Sequence, residues 1–390
     1  MELIEKLRHD FKYIFKEEPC NGYFSPGRVN LIGEHTDYNG GNVFPCAISL
    51  GTYGIVSRRN DSKMKLFSKN FKEAGIIEFD LLEVKYDLKD NWGNYLKGVI
   101  KTFQNHGFKI PNGFNILIYG DIPNGSGLSS SASLEVLMAI ILKDAFKLNI
   151  DMISIAKLCQ EAENKFIGVN CGVMDQFAVA MGKENCALLL DCNTLEYAYS
   201  NVNMDGYKII IGSTNKKRSL ADSKYNERRA QCEEALKTLK EYKDITSLGE
   251  LTEDDFEAFK NKIQSPIIRK RAKHAIYENV RTLKAVKALK ESNLKIFGNL
   301  LNESHISLRD NYEVTGIELD TLVEAAWDQK ETVLGSRMTG AGFGGCTVSI
   351  VKEDSISNFI EYSSNKYKSI IGYSPSFYTV DISGGARKLF

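Results

Sequence analysis

Between residues 51 and 80, short runs rich in β-branched and aromatic residues (GTYGIVSRR, MKLFS, GIIEFD) alternate with polar breaks such as Asn60-Asp61-Ser62. That pattern predicts a meander of strands. Residues 114–119 (FNILIY) predict a further strand, which leads through 120–125 (GDIPNG) into apolar positions at Leu134, Leu137, Met138, Ile141, Leu142, Ala145 and Leu148. Their spacing of three and four predicts a helix with one apolar stripe packed on the sheet. A second helix is expected over 153–166, and the run 186–191 (CALLLD) closes this half as a strand.

From residue 207 the texture changes. A strand-like run, 207–212 (YKIIIG), is followed by residues 222–243 and 268–291, where Lys, Arg and Glu interleave as on long charged helices. Strand patterns return at 345–351 (GCTVSIV) and 377–382 (FYTVDI). Helices between well-separated strands indicate an α+β second domain. The expected division is 1–195 and 196–390.

Composition narrows the class. At about 150 residues per domain, a chain of 390 residues holds two or three domains. With 43% hydrophobic residues, 26% charged residues and only 7 prolines, disordered and fibrous classes are excluded. Fifty Lys plus Arg balance fifty Asp plus Glu, so no overall field draws the chain to nucleic acid or an anionic membrane. Any anion it binds is held locally. The eight cysteines, at 20, 46, 159, 171, 186, 192, 232 and 346, form no C-x-x-C pair and read as reduced thiols. No apolar leader and no run of about 18 uncharged apolar residues occurs, and internal repeats are absent, so a cytoplasmic enzyme or binding protein is expected.

Three segments depart from this background. In the first, residues 25–41 (SPGRVNLIGEHTDYNGG), Arg28, Glu34, His35 and Asp37 place a fixed cation, two carboxylates and an imidazole within ten residues. A core strand should not tolerate that charge density. It reads either as a solvated loop or as a set of hydrogen-bonding groups suited to sugar hydroxyls. The second, 123–133 (PNGSGLSSSAS), joins a strand to the striped helix. Its glycines let backbone approach a ligand, and the unpartnered N–H groups of a helix start favour phosphate. It matches neither the P-loop nor the dinucleotide glycine spacing. The third, 335–346 (GSRMTGAGFGGC), is too glycine-rich for helix or packed strand. Because Arg337, Met338 and Phe343 are poor linker residues, it is expected to form a backbone wall around a ligand.

Together the three segments resemble, in order and spacing, the three motifs of the GHMP small-molecule kinases. Residues 27–39 are similar to the sugar signature of that family's galactose-phosphorylating branch. The resemblance extends to 161–164 (EAEN), 171–176 (CGVMDQ) and 223–229 (SKYNERR), and so spans the chain. It implies an α+β, two-domain GHMP-kinase-like fold with the active site in the interdomain cleft. It also implies transfer of the γ-phosphoryl group of ATP, with Mg²⁺, to the anomeric hydroxyl of galactose.

Carried over by residue, the resemblance makes Asp175 the base and Arg28 its cationic neighbour. Glu34, His35, Thr36, Asp37, Gly172 and Tyr225 would line the sugar site. Gly125, Ser126, Gly127, Leu128, Ser129, Ser130 and Ser131 would cradle the phosphates, and Ser131 with Glu163 would hold Mg²⁺. Trp92 is similar to the aromatic residue beside adenine, and Ser68 would border the same pocket. Ala341 departs from the family's usual glycine. Open alternatives are a kinase for 2-amino or N-acetylated galactose and a non-catalytic sugar sensor of the same fold. The expected partners are small molecules only, with no nucleic acid and no membrane, and the chain is expected to be a monomer. His9, His106, His274 and His305 read as surface or satisfied histidines. The basic run Lys216-Lys217-Arg218 with Lys224, Arg228 and Arg229 reads as a solvated helical face.

Overall fold

The computed structural model describes residues 2–123, 127–216 and 221–390. Helix α1 (Glu2–Phe15) precedes five strands, β1 (Asn21–Asn30), β2 (Asn42–Val43), β3 (Pro45–Arg58), β4 (Lys63–Ser68) and β5 (Ile76–Asp80). Helix α2 (Gly93–Asn105) and strand β6 (Phe114–Gly120) follow, then α3 (Ser130–Phe146), α4 (Met152–Ala162) and α5 (Met174–Met181). The hairpin β7 (Cys186–Asp191) and β8 (Tyr197–Asn201) leads to β9 (Tyr207–Ser213). Five helices come next: α6 (Ala221–Leu239), α7 (Glu253–Phe259), α8 (Pro266–Lys290), α9 (Leu294–Ser307) and α10 (Ile317–Trp327). The chain ends with β10 (Val333–Thr339), β11 (Cys346–Lys352), α11 (Ile356–Ile371), β12 (Ser376–Val380) and β13 (Arg387–Lys388).

The meander expected at 51–80 is part of a six-stranded sheet in the order β13-β1-β3-β6-β4-β5. Only β4 and β6 pair in parallel. Helix α1 covers one face through Leu7 and Phe11 against Ile55 and Leu117. Helix α3 packs on β1 and β3 from the other face and also contacts α2, α4 and α5. The single apolar stripe expected for α3 is therefore too narrow. Every position from Ala132 to Leu142 except Leu134 is buried, because a helix with neighbours on all sides is apolar all round.

The second sheet runs β10-β11-β9-β12 and shows the two-residue period directly. Ile209 and Ile211 of β9 pack toward Val29, Phe44 and α9, whereas Ile210 packs toward α10 and α11 with Phe359. A three-stranded sheet, β2-β7-β8, bridges the halves. Residue 195 falls in the turn between β7 and β8, so the strand beyond it still pairs with the one before it. Strand β13 returns to β1, which ties the end of the chain to the first sheet.

Two segments differ from expectation. Residues 335–339 are not loop but most of the buried strand β10. Gly335 is needed there for close approach: a Cβ on it would lie 2.2 Å from the Gly298 carbonyl oxygen of α9. The true loop is 340–345, where Gly340, Gly342, Gly344 and Gly345 all have positive φ. Arg28, in turn, sits inside β1, and Glu34 and His35 are buried, not solvated. A core accepts such charges only when they are paired, as they are here. The basic run is likewise not a uniform solvated face, because Arg228 is buried and donates to the Tyr312 and Glu313 carbonyl oxygens. Arg229 reaches the Asn170 carbonyl oxygen, and residues 217–220 lie outside the described residues. Among the described residues, no helix is long and apolar enough to cross a membrane.

Candidate active site

Three elements converge on one carboxylate. Asp175 lies in the first turn of α5, where the helix N-terminus favours negative charge. Arg28, next to a register shift in β1, places Nε at 2.9 Å and Nη2 at 2.8 Å from Asp175 Oδ1. Its third nitrogen, Nη1, donates to the Gly127 carbonyl oxygen at 2.5 Å, and its backbone N–H donates to the Leu128 carbonyl oxygen at 3.1 Å. Ser129, at the start of α3, donates its hydroxyl to Asp175 Oδ2 at 2.6 Å. The phosphate-loop candidate and the candidate base are thus one hydrogen-bonded unit.

Arg28 and Asp175 open on a cavity of about 410 Å³, lined also by Glu34, His35, Asp37, Glu163, Cys171, Gly172, Tyr225, Gly340 and Ala341 among others. A more open groove of about 780 Å³ along β7 and β9 contains none of them. Glu34 Oε1 is 2.9 Å from Arg337, and it accepts from Thr339 Oγ1 at 2.9 Å and from the Gly340 N–H at 2.7 Å. One side of the cavity is thereby clasped to the loop on the other. His35 adopts φ +61 and bonds Tyr38 through Nδ1 at 2.8 Å, and its ring also faces the Ala341 backbone. Burial and the neighbouring His274 push its pKa down to about 3, so the ring is neutral. Asp37 fits against Gly172, where a Cβ would come within 1.9 Å of Asp37 Oδ2. Burial, reinforced by Asp175, pushes the Asp37 carboxyl up to about 7. The Tyr225 ring stands 5.7 Å from His35 and 5.2 Å from Tyr38.

Thr36 differs from its neighbours in this segment. Its hydroxyl bonds the Gly33 and Asn42 carbonyl oxygens at 2.8 and 2.7 Å and closes the turn, and Thr36 is not among the residues that line the cavity. Ser68 is also buried, its hydroxyl accepting from the Asn70 N–H at 3.2 Å. Trp92 belongs to the core packed around α2 and α3, yet it also edges a small hollow with Asn70, Phe71 and Ser130. Its indole N–H is buried without a partner. Leu128 is wholly buried and contributes backbone only. Gly125 and Ser126 lie outside the described residues.

Glu163 opens the π-helical turn Glu163–Ile167 that ends α4. Burial and the nearby Asp175 charge raise its pKa, and Ser131 hydrogen-bonds its carboxylate. Gln176 Nε2 donates to Glu163 Oε2 at 2.6 Å and to Glu135 Oε2 at 3.0 Å. Neither Glu135 in this network nor Arg337 as the partner of Glu34 is read from the sequence. The lone charge of Glu135 inside an apolar helix, and the arginine in a glycine-rich stretch, are the only sequence signals for them.

Among the described residues, His35, Ser129 and Phe343 are the non-glycine residues of the three segments at positive φ. A β-sheet domain with a buried helix behind its phosphate loop, a carboxylate–arginine pair and a glycine-rich third motif define a small-molecule kinase of the GHMP class, and the comparisons agree. The family models described as GHMP kinases N terminal domain and GHMP kinases C terminal match residues 94–183 and 285–369. The model described as the galactokinase galactose-binding signature matches residues 9–58. The chain is 66% identical over 389 residues to the galactokinase of Clostridium beijerinckii, covering all of both. It is 52% identical to that of Bacillus subtilis, covering 99% of each. The crystal structure of Lactococcus lactis galactokinase complexed with galactose superposes with a TM-score of 0.96 at 49% identity, over 99% of this chain and 100% of that one. Methanococcus jannaschii mevalonate kinase, at 20% identity and a TM-score of 0.65, shares the fold. The chain belongs to the galactokinase family within the GHMP kinases.

Proposed function

We propose that this chain transfers the γ-phosphoryl group of ATP to the C1 hydroxyl of D-galactose, yielding galactose 1-phosphate and ADP. The observation that carries this reading is the Asp175 carboxylate, fixed by Arg28 and Ser129 at the cavity and tied through Arg28 to the Gly127 backbone. Asp175 accepts the proton of the attacking hydroxyl as the O1–P bond forms and the bond to the ADP oxygen breaks. Arg28 orients the carboxylate through two N–H groups and offers positive charge to the transferring group, the electrostatic contribution that dominates phosphoryl transfer. The Gly127–Ser131 backbone and the start of α3 supply donors for the phosphates.

Glu34, His35, Asp37 and Tyr225 present fixed polar groups to the sugar, and His35 does so as a neutral ring. Mg²⁺ fits the donor set. Glu163 is a buried carboxylate with no lysine or arginine on it among the described residues, and Ser131 is its hydroxyl neighbour. A cation that keeps phosphate and water ligands needs no more than one or two protein oxygens. Bound there, Mg²⁺ would neutralise phosphate charge. The test is a panel of hexoses with Mg-ATP, following ADP release. Galactose-dependent release with glucose a very poor substrate is expected, because a site built to bond an axial hydroxyl leaves its groups unpaired when that hydroxyl moves. Comparable kcat/KM for the two sugars would overturn the reading.

A further inference from the structure

Ser129 looks from the sequence like one serine of a phosphate loop or a helix cap, but the structure uses it otherwise. It precedes α3 at the N-cap position, yet its side chain makes no capping bond, although capping is what a serine there ordinarily does. It adopts a left-handed conformation, φ +61 and ψ +48, which a residue with a Cβ holds only where its surroundings over-determine it. What that conformation achieves is contact: the buried hydroxyl donates to Asp175 Oδ2 at 2.6 Å, a hydrogen bond strengthened by the carboxylate charge.

We propose that Ser129 is the positioning residue of the base: it fixes the Asp175 carboxylate relative to the phosphate loop, while the two Arg28 bonds to Oδ1 leave Oδ2 as the oxygen that takes the sugar proton. This rests on the reading of Asp175 as base. An ionised carboxylate has about four acceptor sites. Arg28 fills two at Oδ1 through Nε and Nη2, and Ser129 fills one at Oδ2, which leaves a single site on Oδ2. The remaining Arg28 nitrogen holds the Gly127 carbonyl oxygen, and the Arg28 N–H holds that of Leu128. A closed ring therefore runs from β1 through the loop to Ser129, across to α5 and back to Arg28. Asp175 and the Gly127–Ser129 segment are thereby held in one fixed relation, which is what an in-line transfer between two bound substrates requires.

The experiment compares Ser129→Ala and Ser129→Gly with wild type. Glycine accepts φ +61 without strain, so it removes the hydroxyl while easing the backbone, and its thermal melt reports an intact fold. Both variants are expected to lose kcat by about tenfold to a hundredfold, the range seen for partners that orient a reacting group, with KM for ATP and galactose within about twofold of wild type. In an Asp175→Ala background, Ser129→Ala should leave the single-turnover rate unchanged, because its route of action is gone. A raised KM for ATP with kcat retained would make Ser129 a nucleotide ligand and overturn the proposal. So would an equal loss in the Asp175→Ala background. A fully active Asp175→Ala single variant would instead bring down the base reading itself, and this inference with it.

Discussion

Glu34 and Arg337, 303 positions apart in the chain, meet 2.9 Å apart with side chains 2% and 0% exposed. The contact joins the sugar segment to the strand that launches the third glycine-rich loop. Thr339 and the Gly340 N–H bond the same carboxylate oxygen, so the Glu34 side of the pair is held by three donors.

Breaking such a pair from one side strands a buried charge, at a typical cost of about 3–5 kcal/mol. Arg337→Met should therefore lower the melting temperature markedly and raise KM for galactose more than KM for ATP, because Glu34 loses its anchor. Calorimetry with steady-state kinetics checks both. An unchanged melt would show that the clasp contributes nothing.

Gly172 is bare because Asp37 occupies the space its side chain would need: a Cβ at that position would lie 1.9 Å from Asp37 Oδ2. Gly172→Ala should displace Asp37, raising KM for galactose by about tenfold or more, the order expected for a lost hydrogen bond to a substrate. The dissociation constant for a nucleotide analogue, measured by calorimetry, should stay within about twofold. Equal damage to both ligands would place Asp37 outside the sugar site.

Asp37 also sets a pH dependence. Its carboxyl is raised to about 7 by burial and by Asp175 and Glu34, with Arg28 opposing. Below pH 7 the sugar-free enzyme then holds Asp37 protonated, and binding a ligand that needs the carboxylate must include the cost of ionising it. KM for galactose should rise as pH falls from 7 toward 5, approaching about tenfold per unit, while KM for ATP stays level. The slope should vanish in Asp37→Asn. A flat galactose KM in wild type would contradict the assignment.

Ser131 and Glu163 make the metal prediction. Ser131→Ala and Glu163→Gln should each raise the Mg²⁺ concentration needed for half-maximal rate, and galactose binding without nucleotide should be unaltered. Titrations that superimpose on wild type would put the ligands elsewhere.

Much of this architecture was legible in the sequence where one physical signal acted alone. The alternating runs became the first sheet, and the two charged stretches became α6 and α8. What failed depended on neighbours remote in sequence. The α3 stripe could not reveal that helices surround it, and the glycines near 335 hid a strand because their purpose is contact with Gly298. The site shows the same division. Arg28, Glu34, His35 and Asp37 stand out as charged and polar groups in one glycine-bounded segment, Asp175 comes from the resemblance alone, and the five share one cavity. Thr36 carries the same signature but its hydroxyl serves the turn. Arg337 could not be paired with Glu34 by spacing, and Ser129 was indistinguishable from its serine neighbours until its backbone conformation was known.

The central claim is that Asp175 receives the proton of the galactose C1 hydroxyl during transfer from ATP. Rapid-quench measurement of galactose 1-phosphate formed in a single turnover, by wild type and by Asp175→Asn, tests it most directly. The asparagine keeps the volume but is no base, so the rate should fall by about 10²- to 10⁴-fold in a protein that melts normally and still binds galactose. Equal single-turnover rates in the two proteins would contradict it.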